Sequence, residues 1–387
     1  AKTTDKEAQW ILSQIGKIVE AGHKYNDCTI LYRAHHVSRS IEEALLKARI
    51  PYVIYSGVSF YNRREVKDAI CYLRMIIFED DMSFKRIINV PRRNFGKKRM
   101  EFLEKYAEAH GMKLYDALLE NLDNPLIASS KAKEFVELID GYKQSFQVFK
   151  LTDLLQGIMN DSGYEAMLRT SGDDSRLENL AELKQAVFNY ENDAGEETSL
   201  ADYLQRISLL TNLDKEEKKD AVKLMTIHTA KGLEFPYVFV CGMNEGIFPS
   251  KHVDSEEALE EERRLAYVAY TRAENALFLS DAEGVNLDGS YRYPSRFIFN
   301  TDKTYLEYTV ELEQKFVESA ESFIRKNEEK ISGVIPDRFE AGTVVRHNLF
   351  GEGMIVEVNE SDGYYVVQFE GMRTARNISF KVEMERV

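Results

Sequence analysis

The sequence predicts an α/β protein: a parallel sheet interrupted by an all-helical insertion and followed by a small β-barrel. Three observations carry this. Helix and strand patterns alternate over residues 1–78, and strand runs resume after residue 220. The stretch between them, 79–219, is long, charged and nearly without strand signals. Residues 336–387 are short apolar runs separated by glycine turns.

The elements follow in order. Ala8, Ile11, Leu12, Ile15, Ile18 and Val19 keep the 3.6-residue period of an amphipathic helix, and Gly22 is its stop. Cys28–Tyr32 is an apolar strand run whose end turns polar at Arg33. Ser40 with Glu43 forms a capping-box pattern for a second helix through Ala48, and residues 51–55 give the next strand. In the helical stretch, Asn160–Gly163 and Ser171–Ser175 read as turns. Strands return at 222–228, 237–241 and 276–280. Residues 301–332 are helical in composition and charged, and Gly333 and Pro336 close them like a linker. The last strands are expected at 344–345, 354–358, 364–369 and 375–378, with turns at 350–353, 362–363 and 370–371, giving a barrel of about five strands.

Composition narrows the function classes. The chain has 387 residues, enough for two or three domains, with 44% hydrophobic and 30% charged residues. Lys plus Arg is 51 against 65 for Asp plus Glu, a formal net charge of −14. That excludes a uniformly basic coat for nucleic acid or anionic membrane, but not a local basic groove. Cys28, Cys71 and Cys241 are far apart and form no C-x-x-C pair, which argues against a disulfide framework or cysteine zinc site and fits a reducing, cytoplasmic setting. No run approaches the ~20 apolar residues of a membrane span, so no membrane partner is expected.

Two blocks carry the chemistry: Thr226-Ile227-His228-Thr229-Ala230-Lys231-Gly232-Leu233-Glu234-Phe235 directly after a strand, and Glu260 through Ala273, ending Tyr270-Thr271-Arg272-Ala273. They resemble motifs V and VI of superfamily 1 DNA helicases of the UvrD/PcrA/Rep type. Leu31-Tyr32-Arg33 with Ser38-Arg39 resembles motif IV. Gly57–Tyr61 with Arg63, Glu65, Lys67 and Asp68, and Gly242–Pro249, match further signatures of the group in its order and spacing. The resemblance implies a RecA-like domain 2A in two segments (1–78 and 220–300), an inserted helical subdomain 2B (79–219), a linker (301–335) and an SH3/Tudor-like barrel (336–387). It implies an ATP-dependent 3′-to-5′ DNA helicase acting on single-stranded and junction DNA.

Residue roles follow from the same resemblance. Phosphoryl transfer needs cations where charge develops on the γ-phosphate. Arg272, the arginine finger, and Arg33 would supply them; Tyr32 would stack on adenine, with Glu234 near the ribose and Gly232 in the same nucleotide-binding loop. Thr226 and His228 would touch the DNA backbone, and Phe297 would stack on a base. Blander readings stand beside these. Arg272 could pair with Glu262 or Glu274, and Tyr32 could be a partly buried strand-end aromatic. His228 could be a satisfied core histidine and Phe297 a core phenylalanine. The acids Glu256, Glu257, Glu260, Glu261 and Glu262 read as a solvated helix start. Arg92-Arg93-Asn94-Phe95-Gly96-Lys97-Lys98-Arg99 holds five cations in eight residues, a duplex-phosphate patch through Arg92, Arg93, Lys97 and Lys98 or a plain solvated face. The group usually carries Gly-Ile-Gly where this chain has Asn94-Phe95-Gly96.

No G-x-x-x-x-G-K-[ST] phosphate loop is present: around Gly96-Lys97, Pro91 stands where the first glycine belongs and Lys98 where the hydroxyl belongs. Under the resemblance, ATP with Mg²⁺ would be held largely by an N-terminal motor half, the expected partner, and this chain alone would be inert. The alternative is a non-catalytic adaptor. Residues 336–387 carry six Lys or Arg against nine Asp or Glu, so the barrel favours a protein partner, RNA polymerase or repair proteins.

Overall fold

The computed structural model describes residues 1–194, 199–213, 220–285, 290–332, 339–347, 351–359, 364–369, 375–379 and 384–386. Helix α1 (Thr4–Glu20) starts where Thr3 accepts the Lys6 amide and acids occupy the first turn; Ala8, Ile11, Ile15 and Ile18 form its buried stripe. Strand β1 (Cys28–Tyr32) is buried at all five positions, as a central parallel strand covered on both faces must be. Helix α2 (Ser38–Lys47) begins two residues before the expected cap, and Glu43 does not reach back to Ser40. Instead Glu43 accepts from Arg39 and from the Tyr61 hydroxyl, both at 2.8 Å. A capping box needs a free carboxylate, and tertiary partners have taken this one.

Strands β2 (Tyr52–Ile54), β3 (Val222–Thr226), β4 (Phe235–Val240) and β5 (Ala273–Leu279) complete a five-stranded sheet in the order β2-β3-β1-β4-β5, parallel at every pairing. Its C-terminal edge gathers the ends of β1, β3, β4 and β5. Between β2 and β3 the chain is helical: α3 (Arg64–Ile77), α4 (Asp81–Ile87), α5 (Lys97–His110), α6 (Leu114–Glu120), α7 (Pro125–Ala128), α8 (Ala132–Ser145), α9 (Leu151–Asp161), α10 (Tyr164–Ser171), α11 (Asp174–Ala194) and α12 (Leu200–Leu213). These helices share one hydrophobic cluster that begins at Phe60 and ends at Leu210, so α3 belongs to the helical core although it precedes residue 79. The two sheet faces are covered by separate clusters, one around α1 and α2, the other beneath α13 (Glu256–Tyr270) and α14 (Arg296–Phe299).

A polar layer lies between the helical core and the sheet. Arg39 of α2 binds Glu182 of α11 at 2.6 Å, Glu43 binds Arg206 of α12 at 3.1 Å, and Arg63, which also binds Asn179, donates to the Ser38 hydroxyl of α2 at 3.2 Å.

The chain divides into two units, residues 1–251 with 261–307, and 252–260 with 308–387. The helix expected from residue 301 begins only at Gln314, in the second unit, as α15 (Gln314–Ile331); the short turn at Lys303–Tyr305 belongs to the first. Strands β6 (Val344–His347), β7 (Gly351–Asn359), β8 (Tyr364–Phe369), β9 (Arg376–Ser379) and β10 (Glu385–Arg386) form an antiparallel sheet in the order β10-β6-β7-β8-β9. Val345, Ile355, Tyr365, Val367, Phe369 and Ile378 are its core. Gly351 opens β7 rather than sitting in a turn. The turns expected at 362–363 and 370–371, and Gly333 and Pro336, lie outside the described residues. Among the described residues, no helix is long and apolar enough to cross a membrane.

Candidate functional sites at the two edges of the sheet

The side chains singled out in the sequence fall at opposite edges of the parallel sheet. At the C-terminal edge, β1 and β3 end side by side, with the Ile227 amide donating to the Tyr32 carbonyl at 3.0 Å. Arg33 leaves this edge and meets Glu262 of α13. Its Nε donates to both carboxylate oxygens at 2.9 and 3.1 Å, and Nη2 donates to Oε1 at 2.7 Å. The Ser250 amide also donates to Glu262, at 3.3 Å. Thr226 is half-buried and bonded to the Thr229 hydroxyl at 3.0 Å. His228 is exposed, so it is not a core histidine. Partial burial, then the nearby Arg33 charge, hold its imidazole below the usual range, while Glu262 and Glu261 oppose that.

At the N-terminal edge, Arg272 stands just before β5. It pairs with neither Glu262 nor Glu274. Its Nε donates to the Val268 carbonyl at 3.0 Å, Nη1 to the Leu233 carbonyl at 2.7 Å and Nη2 to the Thr271 hydroxyl at 3.0 Å. In return the Phe235 amide donates to the Arg272 carbonyl at 2.9 Å. The turn carrying Gly232, whose φ of 85° suits glycine, is thereby clamped beside exposed Glu234. A guanidinium has five donors, so this clamp leaves Arg272 with donors to offer outward.

Arg33 and Arg272 are not brought together. Tyr237 is level with Cys28, and Phe235 with Ala273, so Arg33 follows one edge while Arg272 precedes the other. At ~3.3 Å per strand residue and ~1.5 Å per helix residue, the two backbones stand on the order of 20 Å apart. Arg33 is also pinned to Glu262 while Arg272 is clamped to Val268 and Leu233, so this structure does not show the expected paired cations.

Three further expectations are corrected. Tyr32 is completely buried inside β1, and its hydroxyl has no hydrogen-bond partner; burial pushes the phenol upward. A ring without an exposed face offers none to adenine. Phe297 is 4% exposed and packs edge-on against Phe248 at 5.2 Å, so it is a core residue rather than a stacking platform. Arg93 is 6% exposed and spends its donors on the carbonyls of Ile87, Pro91 and Ser162 and the Tyr72 hydroxyl, with its guanidinium 5.2 Å above the Phe135 ring. Arg92, Lys97 and Lys98 remain exposed. Asn94 takes a φ of 54°, a left-handed turn that glycine adopts freely and asparagine tolerates.

Glu262 is the partner of Arg33 that sequence reasoning misses. Grouped with its neighbours it reads as part of a solvated acidic helix start, yet it is 6% exposed. A signal for its burial exists: Leu259, Glu262, Ala266 and Ala269 recur at i, i+3, i+7 and i+10, the buried stripe of α13. A carboxylate on such a stripe requires a cation.

Among the described residues, no group of three or more His, Cys, Asp or Glu side chains could hold a metal ion. A parallel sheet carrying a helical insertion, followed by a small antiparallel sheet, defines an α/β class with a separate β domain. Residues 1–284 match the family described as UvrD-like helicase C-terminal domain. The chain belongs to that family. It is 36% identical over 380 residues to the ATP-dependent DNA helicase PcrA of Staphylococcus epidermidis (strain RP62A), covering 94% of this chain and 52% of that protein. It is 35% identical over 381 residues to the PcrA of Staphylococcus aureus (strain NCTC 8325), with the same coverage. The chain thus spans about half the length of these relatives.

Proposed function

We propose that this chain is the C-terminal motor half of an ATP-dependent 3′-to-5′ DNA helicase. The observation that carries the reading is the placement of two separate polar sites at opposite edges of one rigid sheet. ATP would bind in a cleft between the N-terminal edge and a second RecA-like half. Arg272, pre-oriented by its clamp on the Leu233 carbonyl, would reach across that cleft to the γ-phosphate, where a fixed guanidinium stabilises developing charge without reorganising. Glu234 would face the ribose. At the other edge Thr226 and His228 would hold the single-stranded backbone, and Arg92, Lys97 and Lys98 of the insertion would meet duplex phosphates at a junction. Because the sheet is one body, closure at the nucleotide edge would displace the DNA edge.

The test is reconstitution. The purified chain should hydrolyse no ATP with single-stranded DNA, and adding a matching N-terminal motor half should restore turnover. In that mixture Arg272→Ala should lower kcat by ~10³-fold or more, the size of an arginine-finger contribution, with ATP binding largely kept. Unchanged turnover would remove Arg272 from its role.

A second reading, an adaptor that docks on RNA polymerase or repair proteins, is favoured by one observation. Val344, Met354 and Val356 are 42%, 48% and 52% exposed on β6 and β7, with Val344 directly opposite Met354. Stable association of the two halves without ATPase would support it.

A further inference from the structure

We infer that Glu262 is a positioning residue: by gripping Arg33 it builds a phosphate seat at the C-terminal edge of the sheet, a backbone contact additional to Thr226 and His228. This rests on the DNA reading above and deepens it.

The grip is one-sided. Glu262 occupies the Nε and Nη2 side of the guanidinium, and Nη1 carries no hydrogen bond among the described residues. The side chain of Arg33 is 27% exposed, that of Glu262 8%. The carboxylate is therefore buried, while the arginine keeps about a quarter of its side chain in solvent and its Nη1 donors unspent. The Ser250 amide fixes the carboxylate from a second direction. Arg33 and Lys231 both lie close enough to His228 for their positive charges to be felt there, so the edge gathers cations. An arginine held flat by a carboxylate presents a planar fork, the geometry that phosphate oxygens accept best. Crevices outside the carboxyl ends of parallel strands are also where α/β sheets bind their ligands. The pair thus stands where a nucleic-acid backbone would pass, and its buried member has no route to the ligand except through Arg33.

Opposite signs make the idea testable. If Glu262 acted only by its charge, Glu262→Gln would remove a repelling carboxylate and tighten DNA binding. If it positions Arg33, the same substitution should weaken binding. The measurement is fluorescence anisotropy of the full chain with labelled oligothymidylate across a salt series. We expect E262Q to bind about tenfold more weakly and the log–log salt slope to shrink by ~0.7, the loss of one single-strand phosphate contact. Glu261→Gln removes the same charge from a neighbour whose side chain is 74% exposed, and should bind equally or more tightly. Arg33→Lys keeps the charge and loses the fork; it should reproduce the E262Q loss even if E262Q folds poorly. The R33K/E262Q double variant should be no weaker than either single one, because both changes remove one contact. Tighter binding by E262Q, or an unchanged slope in both single variants, would overturn the inference alone. Failure of the unaltered chain to bind oligothymidylate would overturn the DNA reading, and this inference with it.

Discussion

Phe297 offers the sharpest separation between a core role and a DNA-binding role. Its ring is 4% exposed, lies 5.2 Å from Phe248 at 67°, and sits in the cluster that also holds Met243, Ala266 and Ala269. Its amide is bonded to the Ser295 hydroxyl at 3.2 Å, so the backbone at this site is fixed and little collapse into a cavity is available. Truncating a buried phenylalanine typically costs ~3–5 kcal/mol, and the rigid surroundings place Phe297→Ala near ~4 kcal/mol. Phe297→Leu keeps most of the volume and should cost ~1–2 kcal/mol. Urea unfolding followed by circular dichroism gives the stabilities, and oligothymidylate anisotropy gives the affinities. A core residue predicts that F297L binds DNA within about twofold of the unaltered chain. A stacking residue would forfeit ~1–3 kcal/mol of binding per base, from several-fold to over a hundredfold. A stability loss below ~1 kcal/mol in F297A, together with a tenfold or larger affinity loss in F297L, would refute the core assignment.

The remaining predictions concern the insertion and a buried acid. Arg93→Ala strands several carbonyls and the Tyr72 hydroxyl in the helical core; it should cost ~2–4 kcal/mol in thermal unfolding while leaving the salt slope of junction-DNA binding unchanged. Replacing Arg92, Lys97 and Lys98 together by alanine should do the reverse, cutting that slope by up to ~3 with no change in Tm; an unchanged slope would remove these cations from the DNA interface. Asp281 is pushed up from 3.8 to about 6, chiefly by burial, and its Oδ2 has no hydrogen-bond partner. A folded value above the unfolded one means stability present below about 3.8 and lost as pH rises through about 6. Asp281→Asn should therefore stabilise the protein by up to ~3 kcal/mol near pH 7.5, at ~1.4 kcal/mol for each tenfold difference in proton affinity between the folded and unfolded chain. The gain should fade toward pH 4; a gain independent of pH would show that the carboxyl is not the cause.

What is legible in the sequence, and what is hidden, divides along the range of the forces involved. The parallel sheet is legible because buried parallel strands are continuous apolar runs, and Cys28–Tyr32 is one. The Arg272 clamp is hidden, because its partner on the Gly232 turn, the Leu233 carbonyl, lies 39 residues earlier in the chain. Arg92 and Arg93 are indistinguishable in the sequence. Their fates differ because the carbonyl of Ser162, 69 residues later, selects Arg93 for burial. Tyr32 and Arg33 look like one site because they are adjacent, although a strand sends successive side chains to opposite faces. Ser40 and Glu43 match a capping pattern, yet Arg39, Tyr61 and Arg206 outcompete the local bond. Such long-range polar partners leave no periodic trace.

The polar layer between the sheet and the helical block bears on cooperativity. The hydrophobic clusters on either side share no residue; Leu46 of α2 packs against the helical one, and the polar ties across the seam include Arg39 with Glu182, Glu43 with Arg206, and Arg63 with Ser38. Largely buried ion pairs lose in desolvation most of what they gain in attraction, so this seam adds little net free energy beyond what either core supplies for itself. The expected consequence is two separable unfolding steps in calorimetry, and a single two-state transition would refute it. Because those pairs are largely buried and poorly screened, added salt should leave the spacing of the two steps nearly unchanged.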